Sequence, residues 1–172
     1  RKSEDVERIA DKLGENFHPL MFDVTDSKAI SESIEKVRSD LKPGECIAAL
    51  VNNAGIALGG PVTLIDTKVF RKQFEVNFFG LIDVTKACLP LLGASKESNN
   101  QGKIINISSI SGRRSHPFMA PYSASKFALE AFSDSLRREL MIYGIDVIII
   151  EPGPIKTAIW DKTPDPENNE FL

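Results

Sequence analysis

The sequence has few cysteines, few histidines and no long apolar run. Its two cysteines and two histidines do not show the spacing of metal ligands, so no metal site is expected. Cys46 and Cys88 are expected to be free thiols in a reducing, cytoplasmic compartment, with a single disulfide as the alternative. Apolar runs such as Val147 to Ile150 are far too short for a transmembrane helix, so no membrane span is expected.

A basic tract is also missing. The 21 Lys and Arg residues and the 24 Asp and Glu residues give a formal net charge of −3 without a cluster of either sign. This balance argues against nucleic acid or an anionic membrane as a partner. Apolar residues make up 42% of the chain and charged residues 26%, as in globular domains, and 172 residues suffice for a single domain over residues 1–172.

Helical and strand patterns alternate along the chain. Apolar side chains at three- and four-residue steps predict helices over Ser3 to Leu13, Ser27 to Leu41, Asp66 to Leu92 and Tyr122 to Tyr143. Short apolar runs predict strands over Phe17 to Val24, over Cys46 to Val51, from Lys103 onward, and over Ile145 to Ile150. Because these strands are apolar on both faces, we expect a parallel sheet with helices on both faces.

Three residues around the Lys103 strand form a chemical pattern. Ser109 lies thirteen residues before Tyr122, and Lys126 lies four residues after it. Residues i and i+4 share one face of a helix, so the phenol and the ammonium should line the same side of a cleft. Ser109, at the end of the strand, should reach the same cleft, because α/β sheets bind ligands beyond the carboxyl ends of their strands.

This trio suits proton transfer to or from an alcohol or ketone. A free phenol loses its proton only near pH ~10, and a nearby ammonium favours the phenolate. Tyr122 could then act as an acid or base near neutral pH, with Ser109 holding the substrate oxygen. The alternative is an ordinary helix start with an exposed lysine and a capping serine, which a Tyr-x-x-x-Lys pattern alone does not exclude.

Further motifs accompany the trio in a fixed order. They are Asp23-Val24, N-N-A-G at 52–55, Asn77 within E-V-N-F-F-G, and P-G-P-I-K-T at 152–157. With the trio, they resemble the short-chain dehydrogenase/reductase family over almost the whole chain. The resemblance implies a Rossmann-like, doubly wound α/β domain and hydride transfer between NAD(P)(H) and an alcohol or ketone.

The resemblance also implies residue roles. Tyr122 would be the acid/base, Lys126 would assist it and hold the nicotinamide ribose, Ser109 would bind the reacting oxygen, and Asn77 would hold a water in a proton relay. Apart from Tyr122 and Lys126, the residues expected along the cofactor are Asp23, Val24, Asn53, Ala54, Gly55, Pro152, Gly153, Ile155 and Thr157.

One family feature is not found. The strand and Gly-rich turn that cradle the cofactor pyrophosphate have no counterpart in the sequence. In the family's sheet, the first two strands lie between those predicted here at Phe17 and Cys46. We therefore expect an internal fragment that lacks the first strands, the Gly-rich turn and the family's last strand, and that has no complete cofactor site of its own. Arg1 and Lys2 follow the position of the second strand and favour NADP over NAD.

The substrate is expected to be lipophilic. Phe118 and Met119 before Tyr122, and Ile159 and Trp160 after the last motif, are apolar side chains in polar loops, as around an apolar ligand. Their surroundings are similar to the steroid and retinoid branch of the family. Arg113 and Arg114 would instead favour a carboxylate or phosphate. Lid packing or a subunit interface is the alternative explanation for the apolar residues.

Two statements concern the whole protein. The family commonly forms homodimers or homotetramers through two long helices, which correspond here to Asp66 to Leu92 and Tyr122 to Tyr143. The alternative to an enzyme is a non-catalytic sensor or scaffold that binds the dinucleotide on the same fold.

Overall fold

The computed structural model describes residues 3–14, 17–95, 98, 100–155 and 159. Its α-helices are α1 (Ser3–Leu13), α2 (Ser27–Asp40), α3 (Thr67–Phe74), α4 (Gly80–Cys88) and α5 (Ala120–Leu140). Its strands are β1 (Ala49–Asn52), β2 (Lys103–Ile107) and β3 (Asp146–Ile150). Short 3₁₀ turns follow α4, β2 and α5 at Leu89–Leu92, Ile110–Gly112 and Met141–Tyr143.

Polar side chains define where two of the helices begin. The Asp26 carboxylate accepts hydrogen bonds from the backbone N–H groups of Lys28 and Ala29, and so caps α2. Asp66 caps α3 in the same way by accepting from the N–H of Lys68. Both aspartates satisfy backbone donors that have no partner within a helix, which explains why the predicted starts are close to the observed ones.

The long helix predicted over Asp66 to Leu92 is interrupted. A π-helical turn at Glu75–Phe79 separates α3 from α4. Pro90 lies in the 3₁₀ turn that follows α4, as expected from a proline that ends a helix. Gly93 then closes this turn in the left-handed conformation, with φ of 80°.

The three strands pair in parallel in the order β1-β2-β3. Asn52 is in register with Asn106, and Ile107 with Ile150, so all three strands end on the same edge. This confirms the predicted parallel α/β arrangement. The same edge receives the loops that carry the N-N-A-G motif, Ser109 and the P-G-P-I motif.

The strand predicted at Phe17 to Val24 is wrong in the part of the chain that the structure describes. Residues 17–23 have no regular structure there, and Asp23 instead starts a turn in which its carboxylate accepts from the N–H and the hydroxyl of Thr25. An apolar run forms a strand only where a second strand offers a hydrogen-bonding ladder. The Cys46 strand is also shorter than predicted, because the N–H of Ile47 donates to the carbonyl of Leu91 outside the sheet.

Helices α4 and α5 cover one face of the sheet. That face contributes Ile104 and Val147 to a buried core completed by Ile30, Val84, Cys88, Leu92, Leu136, Leu140 and Ile145. The opposite face, for which the sequence also predicts helices, exposes Val51 by 55%, Ile148 by 39% and Ile150 by 44%. None of the helices within the described ranges is both long and apolar enough to cross a bilayer.

A buried polar network ties this sheet to its helices. Asn52 at the end of β1 donates to Thr85 on α4 and to Asn106 on β2, each at 2.9 Å. Asn106 in turn donates to Ser133 on α5 at 2.9 Å. These side chains are nearly inaccessible to solvent, so each bond also satisfies a group that would be costly to bury alone. The network fixes the strand ends from which the site is built.

Candidate active site

A cleft of about 320 Å³ opens at the carboxyl ends of the strands. Most of the predicted site residues line it, namely Asn53, Gly55, Asn77, Ser109, Met119, Tyr122, Lys126, Pro152, Gly153 and Ile155. They come from five separate segments of the chain. Its position is the one that open α/β sheets use for ligands, and its volume lies at the lower end of the range for small-molecule sites.

Tyr122 and Lys126 lie one turn apart at the start of α5. Pro121 occupies the first turn, where its missing N–H costs no helical hydrogen bond. Tyr122 is 6% exposed and Lys126 is 7% exposed. The Lys126 Nζ lies 5.8 Å from the centroid of the Tyr122 ring and donates to the carbonyl of Ile107 at 2.8 Å. The end of β2 therefore fixes the ammonium beside the phenol.

The charge on Lys126 is costly in this position. Burial lowers the pKa of Lys126 from 10.5 to about 8, although the nearby carboxylate of Glu130 acts in the opposite direction. Removing an ammonium from water disfavours its charged form, while a neighbouring anion favours it. Close to neutral pH the lysine is thus poised near its own titration, and small changes in its surroundings alter its charge.

Ser109 directly follows the end of β2 and caps the Ile110–Gly112 turn. Its Oγ accepts from the N–H of Ser111 at 3.1 Å. The backbone of this segment is also joined to the segment after β3, because the N–H of Ile110 donates to the carbonyl of Pro152 at 3.1 Å. The serine is 8% exposed and borders the cleft. Its hydroxyl is thus held by the strand end instead of by a long free loop.

Asn77 and Gln73 hold the loop after β1. The Asn77 Oδ1 accepts from the N–H of Ile56 at 2.9 Å, and its Nδ2 donates to the carbonyl of the same residue at 3.0 Å and to Ser125 Oγ at 3.3 Å. Gln73 donates to that carbonyl and accepts from the N–H of Leu58. Asn77 lies in the π-helical turn, a feature often found at functional sites.

Several predicted site residues do not line the cleft. Phe118 has a left-handed backbone with φ of 64° and a side chain exposed by 63%, so the prediction that it faces the substrate region does not match its placement. Ala54, Asp23 and Val24 are also not among the lining residues. Val24 instead packs beside Gly80, where an added Cβ would lie 2.6 Å from the Val24 carbonyl oxygen. Arg1, Lys2, Thr157 and Trp160 lie outside the described residues.

Further residues that the sequence did not indicate also border the cleft. They are Ser108, Ile110, Ser111 and His116. Ile159 lines the cleft as expected from the sequence, whereas His116 gave no signal beyond its position in the loop before Tyr122. Gln73 is spaced one turn before Asn77, which was the available signal for its shared role in holding the loop.

Arg113 is paired, which differs from the cation expected at the mouth of the site. Its guanidinium donates to the Glu151 carboxylate through Nε at 3.0 Å, and Nη2 lies 2.9 Å from the same oxygen. Nη2 also lies 3.2 Å from an oxygen of the buried Glu130. An arginine engaged with two carboxylates is a weak candidate for binding an anionic substrate, so this observation removes one argument against a lipophilic ligand.

Comparisons with known proteins agree with this geometry. A family model for short chain dehydrogenase matches residues 1–168. The NADPH-dependent 3-dehydrocapnine reductase of Ornithobacterium rhinotracheale is 48% identical over 163 residues, which cover 94% of this chain and 57% of that protein. The mitochondrial D-beta-hydroxybutyrate dehydrogenase of Rattus norvegicus is 34% identical, with 96% of this chain and 52% of that protein covered.

A solved structure shows the same architecture. The crystal structure of a short chain dehydrogenase from Burkholderia cenocepacia J2315 in complex with NADP superimposes with a TM-score of 0.75 and 32% sequence identity. The match covers 90% of this chain and 60% of that one. The chain therefore spans between half and two thirds of the length of these similar proteins.

Proposed function

The chain belongs to the short-chain dehydrogenase/reductase family, and we propose that its protein is an NAD(P)-dependent oxidoreductase that interconverts a ketone and a secondary alcohol. The observation that carries the proposal is the meeting of Ser109, Tyr122 and Lys126 in one cleft, with the phenol and the ammonium on the same helical face. The spacing predicted this meeting, and it gives a proton donor, a cation and a hydroxyl around one small volume.

The residues that border the cleft fit the nicotinamide half of a cofactor. Asn53, Gly55 and residues 152–155 border the cleft together with Tyr122 and Lys126 of α5, and Gly153 has open space where a Cβ would stand. Lys126 offers an ammonium that suits ribose hydroxyls as hydrogen-bond acceptors. The reduced cofactor, when bound, supplies the hydride that reaches the carbonyl carbon.

The residues of the chain would handle the proton. In the direction of reduction, Ser109 Oγ donates a hydrogen bond to the ketone oxygen and Tyr122 Oη transfers its proton to that oxygen. The buried ammonium of Lys126 stabilises the phenolate that remains. Asn77, held in the π-helical turn, lines the same cleft as Lys126, and a water bound by Asn77 would pass a proton through Lys126 towards Tyr122.

We propose NADP(H) as the preferred cofactor. A similar protein is named as NADPH-dependent, and a similar structure contains NADP. Arg1 and Lys2 of the sequence point the same way, since a cation near the adenosine ribose favours a 2′-phosphate. Asp23 and Val24 remain the candidates for the adenine end. The preference predicts a higher kcat/KM for NADPH than for NADH in the intact protein.

The proposed substrate is a lipophilic ketone or alcohol. Ile110, Met119, Ile155 and Ile159 supply apolar lining, and Arg113 is occupied by two carboxylates. The name of the hydroxybutyrate dehydrogenase relative favours a small charged substrate instead. In that case the exposed His116 at the cleft is the side chain that would bind the charged group. Trp160 remains a candidate for the apolar side of the pocket.

The test compares two substrate classes. We expect the intact protein to reduce a steroid-like ketone with a higher kcat/KM than a small charged keto acid, and Met119→Ala combined with Ile159→Ala to lower the steroid value at least about tenfold. Phe118→Ala is the matched control, because this exposed residue is not among those that line the cleft, and it should leave the ratio unchanged. A preference for the charged acid would overturn the proposed substrate class.

A second candidate function is dinucleotide binding without turnover. The presence of Ser109 and Tyr122 with Lys126 in one cleft favours a catalytic role, because ribose binding alone needs neither the phenol nor the serine hydroxyl. Cofactor binding without turnover of any ketone or alcohol would support the sensor instead.

The proposal for the whole protein has three further parts. Residues 1–172 belong to a single NAD(P)-binding domain of the Rossmann type. The protein is a homodimer or homotetramer that associates through the α3–α4 segment and α5. Its location is cytoplasmic, which agrees with the free thiols of Cys46 and Cys88.

A further inference from the structure

We propose that Glu130 is a positioning residue: its buried carboxylate keeps Lys126 charged and, through Arg113, ties the turn that carries Ser109 to helix α5. This inference rests on the proposed function, because it assigns a role to a residue that acts through the proposed catalytic groups. Glu130 does not border the cleft, so its effect must pass through its neighbours.

Glu130 is an unusual residue for the interior of α5. It lies four residues after Lys126, on the same face of the helix, and its side chain is 8% exposed. Both of its carboxylate oxygens are buried, and neither makes a well-aligned hydrogen bond within the described structure. Buried carboxylates are rare unless paired, so the neighbouring cations, Lys126 and Arg113, account for its presence.

Arg113 joins three segments that border the cleft. It ends the Ile110–Gly112 turn that begins at Ser109. Its Nη2 bridges Glu130 on α5 and Glu151, the residue between β3 and Pro152, at 3.2 and 2.9 Å. A planar guanidinium held by two carboxylates is confined in orientation. The turn that begins at Ser109 is thus held in place relative to α5, the helix that carries Tyr122 and Lys126.

Close packing confirms that the turn closes on the carboxylate. A Cβ added at Gly112 would lie 3.0 Å from Glu130 Cγ, 3.0 Å from Ser108 Oγ and 3.2 Å from Glu130 Oε1. Glycine is therefore the residue that lets the turn approach the glutamate. The Ser108 hydroxyl is also buried there without a hydrogen-bond partner among the described residues.

Groups of both charge signs surround Lys126 and Glu130. Lys126 lies beside Tyr122 and is influenced by Glu130, both on its own helix, and it lines the cleft together with Ser109 and Asn77. Glu130 raises the pKa of Lys126 against the effect of burial. On its other side Glu130 faces Arg113. The carboxylates of Glu151, Glu130 and Asp134 raise the pKa of this arginine. The guanidinium competes with Lys126 for the same carboxylate.

This competition predicts opposite effects of two substitutions. Glu130→Gln keeps the shape and removes the negative charge, so Lys126 should titrate at a lower pH than in the wild type. Arg113→Gln frees the carboxylate to turn towards Lys126, so the lysine should titrate at a higher pH. If Glu130 and Arg113 only stabilised the fold, the two substitutions would not shift the titration of Lys126 in opposite directions.

The experiment follows the Lys126 side chain by NMR in the intact, cofactor-free protein labelled with ¹³C at the lysine ε-carbon. Its resonance is assigned with Lys126→Ala. Glu139→Gln is the matched control, since it removes the same charge from an exposed position of α5 and should leave the titration unchanged. We also expect the KM for NADPH at pH 8 to rise at least about threefold in Glu130→Gln but not in Glu139→Gln.

Each outcome has a defined meaning. Shifts of opposite sign in the two variants support the proposal, whereas an unchanged titration, or shifts of the same sign, overturn it. If Glu130→Gln does not fold, Arg113→Gln decides alone, and a Lys126 titration at unchanged or lower pH overturns the proposal. A wild-type protein without NADP-dependent turnover would overturn the proposed function, but the NMR titrations would still test the charge coupling.

Discussion

Replacing Lys126 with methionine should stabilise the protein while abolishing its proposed activity. Methionine fills a similar volume without an ammonium, so the variant avoids burying a charge. The pKa of Lys126 falls from 10.5 to about 8 on folding, and a difference of this size corresponds to about 3 kcal/mol of unfavourable free energy at neutral pH. The lost hydrogen bond to the Ile107 carbonyl offsets about 1 kcal/mol of this gain.

The pH dependence identifies the cause. Below pH 8 the lysine is charged in both the folded and unfolded states, so the full cost of burial is present and the variant should be more stable by about 2 kcal/mol. Between pH 8 and 10.5 the folded lysine is neutral while the unfolded one still binds a proton, so the wild type regains stability as the pH rises. Above this range the advantage of the variant should be gone.

This difference is measured by urea denaturation of the intact wild type and variant at several pH values between 6 and 11. The free energies of unfolding of the two proteins are compared at each pH. Lys86→Met is the control, because Lys86 is an exposed lysine on α4 and its loss should change stability little. A Lys126→Met protein that is less stable than the wild type at pH 7, or whose advantage does not depend on pH, would refute the reasoning.

Two further predictions concern groups that support the site. Gly112→Ala places a Cβ 3.0 Å from Glu130 Cγ and Ser108 Oγ, so the turn must shift. We expect a loss of about 1–3 kcal/mol in the free energy of unfolding, measured by urea denaturation, together with a fall in kcat. Asn52→Leu removes the donor to Thr85 and Asn106, and the unpaired groups should cost about 2–4 kcal/mol by thermal or urea denaturation, whereas a variant within about 0.5 kcal/mol of the wild type would contradict the assigned role of the network.

Local signals in the sequence predicted the elements whose causes are local. The bounds of α1 are those predicted from its apolar spacing, and the Tyr122–Lys126 step placed both side chains on one face of α5. Local signals did not suffice for the strand predicted at Phe17 to Val24. An apolar run forms a strand only beside a neighbouring strand, which lies far away in sequence.

The details of the site depend on tertiary structure. The π-helical turn keeps the apolar spacing of an α-helix, so the pattern gave no sign of it. Phe118 has a left-handed backbone, is exposed and does not line the cleft, and side-chain type alone does not reveal this. The Arg113 ion pairs form between segments that are 17 and 38 residues apart, which no spacing rule connects.

The most direct test of the account is the turnover of Tyr122→Phe in the intact protein. This substitution removes the hydroxyl and leaves the ring that faces Lys126, so NADPH should bind with nearly wild-type affinity in a fluorescence titration. Turnover of NADPH with a ketone should fall at least about a hundredfold, because the proton donor is lost. Wild-type-like turnover by this variant would contradict the central claim that Tyr122 is the acid of a dehydrogenase site.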